Sequence, residues 1–165
     1  MRIGAIDPGQ EGWLAVLVGP GLHQLEPLPF TQRKKGQKPH LLLDKLRAQL
    51  QRARLERLYL EVAGSRPGEG TVSAFTSGKN WGLLYGVAWA LDIEIVEVRP
   101  AVWRKALCGH MGKASDTKER KQQSIARAME LYPHAPLIPE GCRVAQNGAA
   151  DALLIAHFGR THGGR

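Results

Sequence analysis

Arg2-Ile-Gly-Ala-Ile-Asp7, then Pro8-Gly9-Gln10, then Trp13-Leu-Ala-Val-Leu-Val18 is the stretch from which the fold can be read. The first run has the pattern of a buried strand that ends on a carboxylate. Pro-Gly is turn chemistry. The second apolar run is another strand, so the two should pair as a hairpin. Gly19-Pro20-Gly21 turns the chain again, and Leu22 to Leu28 can supply a third strand. Beyond them, Leu42, Leu43, Leu46 and Leu50 fall at helical spacing within residues 41–55. Leu58-Tyr-Leu-Glu-Val62 then reads as a strand. A helix between strands argues for a parallel addition to the sheet.

The remainder continues this alternation. A helix is expected from about 72 to 91, with Phe75, Leu83 and Val87 on its inner face. Ile93 to Val98 is β-branched and strand-like, and Pro100 can open a short helix through Leu107. Asp116 and Glu119 have the form of a capping box for a helix to about Leu131. A last helix is expected from Asn147 to Phe158, with Gly159 able to end it. The order implies an α/β chain, a mixed central sheet flanked by helices.

Length and charge bound the function. The 165 residues fit one domain, 1–165, with residues 160–165 expected as a disordered tail. No apolar run is long enough to cross a bilayer. The start of the chain lacks the pattern of a signal peptide, so a cytoplasmic protein is expected, with no membrane partner. Cys108 and Cys142 are too few for a disulfide framework and read as free, buried thiols. The net charge of +8 points to an anionic partner, nucleic acid above all. One basic cluster runs Arg33, Lys34, Lys35, Lys38, Lys45, Arg47, Arg52, Arg54, Arg57. Another runs Arg99, Arg104, Lys105, Lys113, Lys118, Arg120, Lys121, Arg127.

Three acids stand in apolar surroundings: Asp7 at a strand end, Glu61 within a strand, and Asp151 in Ala149-Ala-Asp-Ala-Leu-Leu-Ile-Ala156. Burying a carboxylate is costly unless it is paired or metal-bound. Each also has a plainer reading: Asp7 as a turn residue, Glu61 as an ion-pair member, Asp151 as a charge favoured at a helix N-terminus. If they converge, hard divalent cations would let them act on a phosphodiester, because Mg²⁺ prefers carboxylate and water oxygens.

Several of these segments resemble the RuvC-type Holliday junction resolvases. Ile3-Gly-Ala-Ile-Asp-Pro-Gly9 resembles their first-strand motif, and the strand carrying Glu61 resembles their second acidic strand. Pro67-Gly-Glu-Gly-Thr-Val-Ser-Ala-Phe75 with Gly78, Gly82 and Gly86 resembles the phage and organelle branch. Pro100, Trp103-Arg-Lys105 and Lys118 continue the match, and Asn147 to Ala156 resembles the closing helix. The resemblance covers nearly the whole chain. It implies an RNase H-like fold, a homodimer, Mg²⁺ or Mn²⁺, and paired nicks across a four-way DNA junction that leave 5′-phosphates. By matching position, Asp7, Glu61 and Asp151 would be the catalytic metal ligands, with Asp7 bridging two ions.

Two positions depart from the pattern. Bacterial members carry an acid or histidine three residues before the last aspartate, where this chain has Gly148. The phage branch often has an aspartate four residues before, where this chain has Asn147. Asn147 is thus a candidate neutral metal ligand, direct or through water, or else a helix cap. Bacterial members also carry an aromatic wedge after the glutamate, absent from Val62-Ala-Gly-Ser-Arg66, so Arg66 or a residue of the polar, basic stretch from Thr31 to Pro39, expected to be a mobile loop, is the candidate for that contact.

Lys79, Lys113 and Lys118 are candidate phosphate contacts beside the acids, while Arg33, Lys34 and Lys35 suit the grip on a duplex arm. Trp81, Tyr85 and Trp89 recur on one helix as core or dimer face; the resemblance favours the dimer. His157 reads as structural, His110 as a surface residue and His162 as part of the tail. The alternatives to a resolvase are a broader nuclease for flaps, branched DNA or RNA–DNA hybrids, and a non-catalytic junction-binding protein.

Overall fold

The computed structural model describes residues 1–9, 11–32, 39–64, 68, 70–109 and 117–163. Its elements run β1 (Arg2–Asp7), β2 (Trp13–Val18), β3 (Gly21–Pro27), α1 (Leu43–Ala53), β4 (Arg57–Glu61), α2 (Thr71–Trp89), β5 (Glu94–Val98), α3 (Pro100–Cys108), α4 (Thr117–Leu131) and α5 (Asn147–His162). The five strands form one mixed sheet in the order β3-β2-β1-β4-β5. β1, β2 and β3 pair antiparallel as two hairpins, whereas β4 and β5 add parallel through helical crossovers.

Strand alternation divides the core in two. Ile3, Ala5, Trp13, Ala15, Leu17, Tyr59 and Val98 face the cluster built on α5, to which α3 adds Trp103 and Leu107 and α4 adds Ala128. Ile6, Leu14, Val16, Leu58 and Leu60 face α1 and α2. Side chains two apart share a face. Asp7 therefore follows Ile3 and Ala5 onto the α5 side, and Glu61 follows Tyr59. Because β1 and β4 are parallel, with Ile6 level with Leu60, the next step of the register brings Asp7 level with Glu61.

Several expectations are corrected. α5 does not stop at Gly159 but continues to His162. Gly159 is buried against Tyr59, and a Cβ there would lie 2.4 Å from the ring, so the glycine serves close packing. His162 stacks on Phe158 at 4.9 Å and belongs to the helix instead of a tail. Cys108 is half-buried and Cys142 exposed. Phe75 is 72% exposed because the inward stripe of α2 is Asn80, Leu84 and Ala88. The Asp116 cap lies outside the described residues. No helix among the described residues is long and apolar enough to cross a membrane.

Candidate active site

The three acids come together at one end of the sheet. Asp7 and Glu61 end adjacent strands on the α5 face, and Asp151 lies in the second turn of α5, 4% exposed. α5 lies against both β1 and β2. Its N-terminus can come this close because residue 148 is glycine. A Cβ there would sit 2.5 Å from the Glu11 carbonyl oxygen and 3.3 Å from Asp7 Oδ2.

The electrostatics of Asp7 reflect this proximity. Burial first, then the charges of Glu61 and Asp151, push its carboxyl up to about 7, against a weak hydrogen bond from the Gly9 N–H at 3.3 Å. Burial also raises Asp151, opposed by Arg104, Ser124 and Asn147.

Two consecutive residues of α3 hold the two outer acids. The buried Trp103 indole donates to Glu61 Oε1 at 2.8 Å. Arg104 Nη2 donates to Asp151 Oδ2 at 2.7 Å, and its Nη1 to Ser124 Oγ at 3.0 Å. The guanidinium also stacks on the Trp103 ring, 4.3 Å from its centroid. From α2, the Trp81 indole donates to the Glu61 carbonyl oxygen at 3.0 Å. Asn147 is the first residue of α5, not its cap, which is Gln146. Its amide donates to Asp151 Oδ2 at 2.9 Å.

The donor set suits a hard divalent cation: carboxylate oxygens plus buried Oδ1 atoms of Asp151 and Asn147 that have no hydrogen-bond partner. Among the described residues, however, no three His, Cys, Asp or Glu side chains close on a single point. The residues thus fit ions held by few protein atoms, with water completing the shell, as Mg²⁺ commonly is.

The other candidates are more dispersed. Lys79 is exposed on α2 and Lys118 is exposed near the start of α4. Arg33, Lys34, Lys35, Arg66, Lys113 and His110 lie outside the described residues. Trp81 and Tyr85 pack inward against each other, centroids 5.3 Å apart, while Trp89 is 71% exposed. His157 is structural, bonded at Nδ1 to the Tyr132 hydroxyl at 3.0 Å. In the sequence Arg104 stands out only as part of a basic cluster and of the Trp103-Arg-Lys105 motif, and Trp103 only as part of that motif. A tryptophan and an arginine side by side within a short helix opened by Pro100 were the available signal.

No protein-family model matches the chain, and no curated protein matches it significantly. Solved structures do. The chain is similar to Thermus thermophilus RuvC at TM-score 0.63 and 22% identity, covering 99% of this chain and 97% of that one. It is also similar to T. thermophilus RuvC in complex with Holliday junction substrate, at TM-score 0.62 and 21% identity over 94% and 90%. The fold is RuvC-like. The RuvC-like sheet is the mixed five-stranded sheet of the RNase H-like class, and its acids stand at the strand ends where α5 begins.

Proposed function

We propose that the protein is a Holliday junction resolvase, a divalent-metal-dependent endonuclease that places paired nicks in four-way DNA junctions. The observation that carries this reading is the convergence of Asp7, Glu61 and Asp151, close enough that the last two raise the first. The likeness to T. thermophilus RuvC in complex with Holliday junction substrate supports the choice of DNA.

In this reading Asp7, Glu61 and Asp151 form the centre for Mg²⁺ or Mn²⁺, which supplies an activated water and neutralises the leaving oxygen. Trp103 donates to one oxygen of Glu61 and so helps to orient that carboxylate. Arg104 opposes the burial that raises the Asp151 carboxyl. Lys79 and Lys118, with the basic residues outside the described set, attract the phosphate backbone. The phage or organelle affinity rests on the sequence resemblance alone, including Gly78, Gly82 and Gly86 on α2.

The exposed face of α2 supports a homodimer in this reading. Val72, Phe75 and Trp89 are 70%, 72% and 71% exposed. Gly78, Gly82 and Gly86 lie between them along the helix with open space at each Cβ position. Small residues allow two helices to approach closely, and a two-fold pair matches a junction cut at two symmetric places. A substrate panel tests the reading: four-way junction, linear duplex, flap and RNA–DNA hybrid, each with Mg²⁺. Cleavage confined to the junction supports it. Equal cleavage of flaps or hybrids makes the protein a broader nuclease, and tight junction binding with no cleavage makes it a binding protein.

A further inference from the structure

We infer that the far end of the sheet carries a second phosphate-binding site, an arginine-lined cleft that holds the backbone of a stretch of duplex DNA other than the one at the acids. The inference rests on the DNA partner of the reading above and not on cleavage. The cleft is open, about 690 Å³ in volume, and is lined by Arg2, His23, Ala48, Gln51, Arg52 and Arg54, with no acid among them. Arg2 opens β1 and Asp7 closes it, so about 17 Å of strand lies between them. Arg2 also shares the α1 face of the sheet with Ile6, whereas Asp7 shares the α5 face with Ile3 and Ala5. A phosphate in the cleft is therefore not the one beside the acids.

Two local irregularities bring side chains to this cleft. β2 and β3 lose register between Val16 and Leu17: Gln24 pairs with Val16 and Leu22 with Leu17, so His23 is the extra residue of a bulge. Bulges re-aim side chains, and His23 Nε2 lies 3.4 Å from Arg2 Nη1. At the end of α1, Arg54 adopts φ 49° and ψ 50°, a left-handed cap where glycine is the usual and unstrained residue. A bulge and a strained cap, one on β3 and one after α1, thus serve the same cleft.

The positive charge there exceeds what the fold needs. Carbonyls at a helix C-terminus favour one nearby cation, and Arg2 Nη1 already donates to the Ala53 carbonyl oxygen at 3.4 Å. Arg52 pairs with Glu26 at 3.4 Å. Glu56 accepts the Arg2 backbone N–H at 2.7 Å, lies 3.6 Å from the Met1 amino group, and feels the Arg2 charge as well. The guanidiniums of Arg2 and Arg54 make no ion pair among the described residues. A guanidinium binds phosphate oxygens two at a time. The walls offer no Phe, Tyr or Trp and only Ala48 as an apolar side chain. They suit a backbone passing through an open groove better than a nucleotide, whose base calls for an apolar or stacking wall.

The test is fluorescence anisotropy of a labelled linear duplex, titrated with the full-length protein in EDTA over a series of salt concentrations. Arg52→Gln with Arg54→Gln changes two exposed side chains and should lower the slope of log affinity against log salt by about two. Lys45→Gln with Arg47→Gln removes the same charge from exposed positions of the same helix outside the cleft, and should lower it by less than about one. Arg54→Gly relieves the left-handed cap, so it should be at least as stable as the wild type in thermal denaturation yet lower the slope by about one. An unchanged slope in the cleft variants, or equal falls in both double variants, overturns the inference and leaves the nuclease reading intact. Calorimetric titration with pyrophosphate separates the sources of phosphate. Pyrophosphate binding by the wild type that is lost in the cleft variant, with duplex binding unchanged, makes the cleft a site for free polyphosphate and overturns the inference. A wild type that binds no duplex at all removes the DNA partner, and this inference with it.

Discussion

Replacing Asp7 by asparagine should stabilise the metal-free protein at alkaline pH while abolishing its activity. In the folded chain the Asp7 carboxyl is raised from 3.8 to about 7, chiefly by burial and then by Glu61 and Asp151. A carboxyl raised by folding binds its proton more tightly in the native state than in the unfolded one. Stability is therefore greatest at low pH, falls as pH rises from about 4 towards 7, and is flat above. Each pH unit in that window costs up to about 1.4 kcal/mol, so the ceiling between pH 5 and pH 8 is about 3 kcal/mol. Asp7 retains some contact with solvent, and screening brings the expected effect nearer to about 1.5 kcal/mol. The asparagine side chain is nearly isosteric with aspartate and carries no charge. Urea denaturation in EDTA at pH 5 and pH 8 measures the effect. The wild type should lose about 1.5 kcal/mol more than the variant across that interval. Millimolar Mg²⁺ at pH 8 should restore the wild type and leave the variant unchanged. Parallel pH profiles, or a variant less stable than wild type at pH 8, would refute the argument that neighbouring carboxylates strain Asp7.

Arg104→Met leaves the buried Asp151 without its cation and should cost about 3 kcal/mol at pH 8, read by thermal denaturation. That cost should shrink at acid pH, where Asp151 takes up a proton. Trp103→Phe keeps most of the packing but removes the donor to Glu61. The Mg²⁺ concentration for half-maximal cleavage should rise about tenfold, measured by titrating Mg²⁺ in a cleavage assay. Gly148→Ala drives a Cβ against the Glu11 backbone and should cost about 2 kcal/mol in urea denaturation. Phe75→Glu with Trp89→Glu should convert a dimer to a monomer in sedimentation without lowering thermal stability, because both side chains are exposed.

The sheet was legible in the sequence because its signals are local. The run from Arg2 to Asp7, the Pro-Gly turn and the run from Trp13 to Val18 each carry their own period, and the helical spacer before β4 determines the parallel addition. The acids were legible for a related reason: a carboxylate amid apolar residues demands an explanation. What the sequence could not show depends on contacts across long separations. Arg104 reaches Asp151 over 47 residues and Trp103 reaches Glu61 over 42, and no periodicity records either contact. Gly159 looked like a helix stop because that is the usual local meaning of the residue. Its packing on Tyr59, about a hundred positions earlier, overrides that meaning and extends the helix to His162. Phe75 failed for the same reason in reverse, since a helix with apolar residues all round does not declare which stripe faces the sheet.

The function proposed above is that of a metal-dependent junction nuclease, conferred on this chain, RuvC-like in fold, by the acids at the end of the sheet. It is tested most directly by mapping cuts in a four-way DNA junction labelled in turn on each strand, with Mg²⁺ or EDTA, for the wild type and Asp7→Asn. Symmetric nicks in two opposed strands, dependent on Mg²⁺ and absent in the variant, are expected. Nicks that persist in EDTA, or in Asp7→Asn, would contradict it.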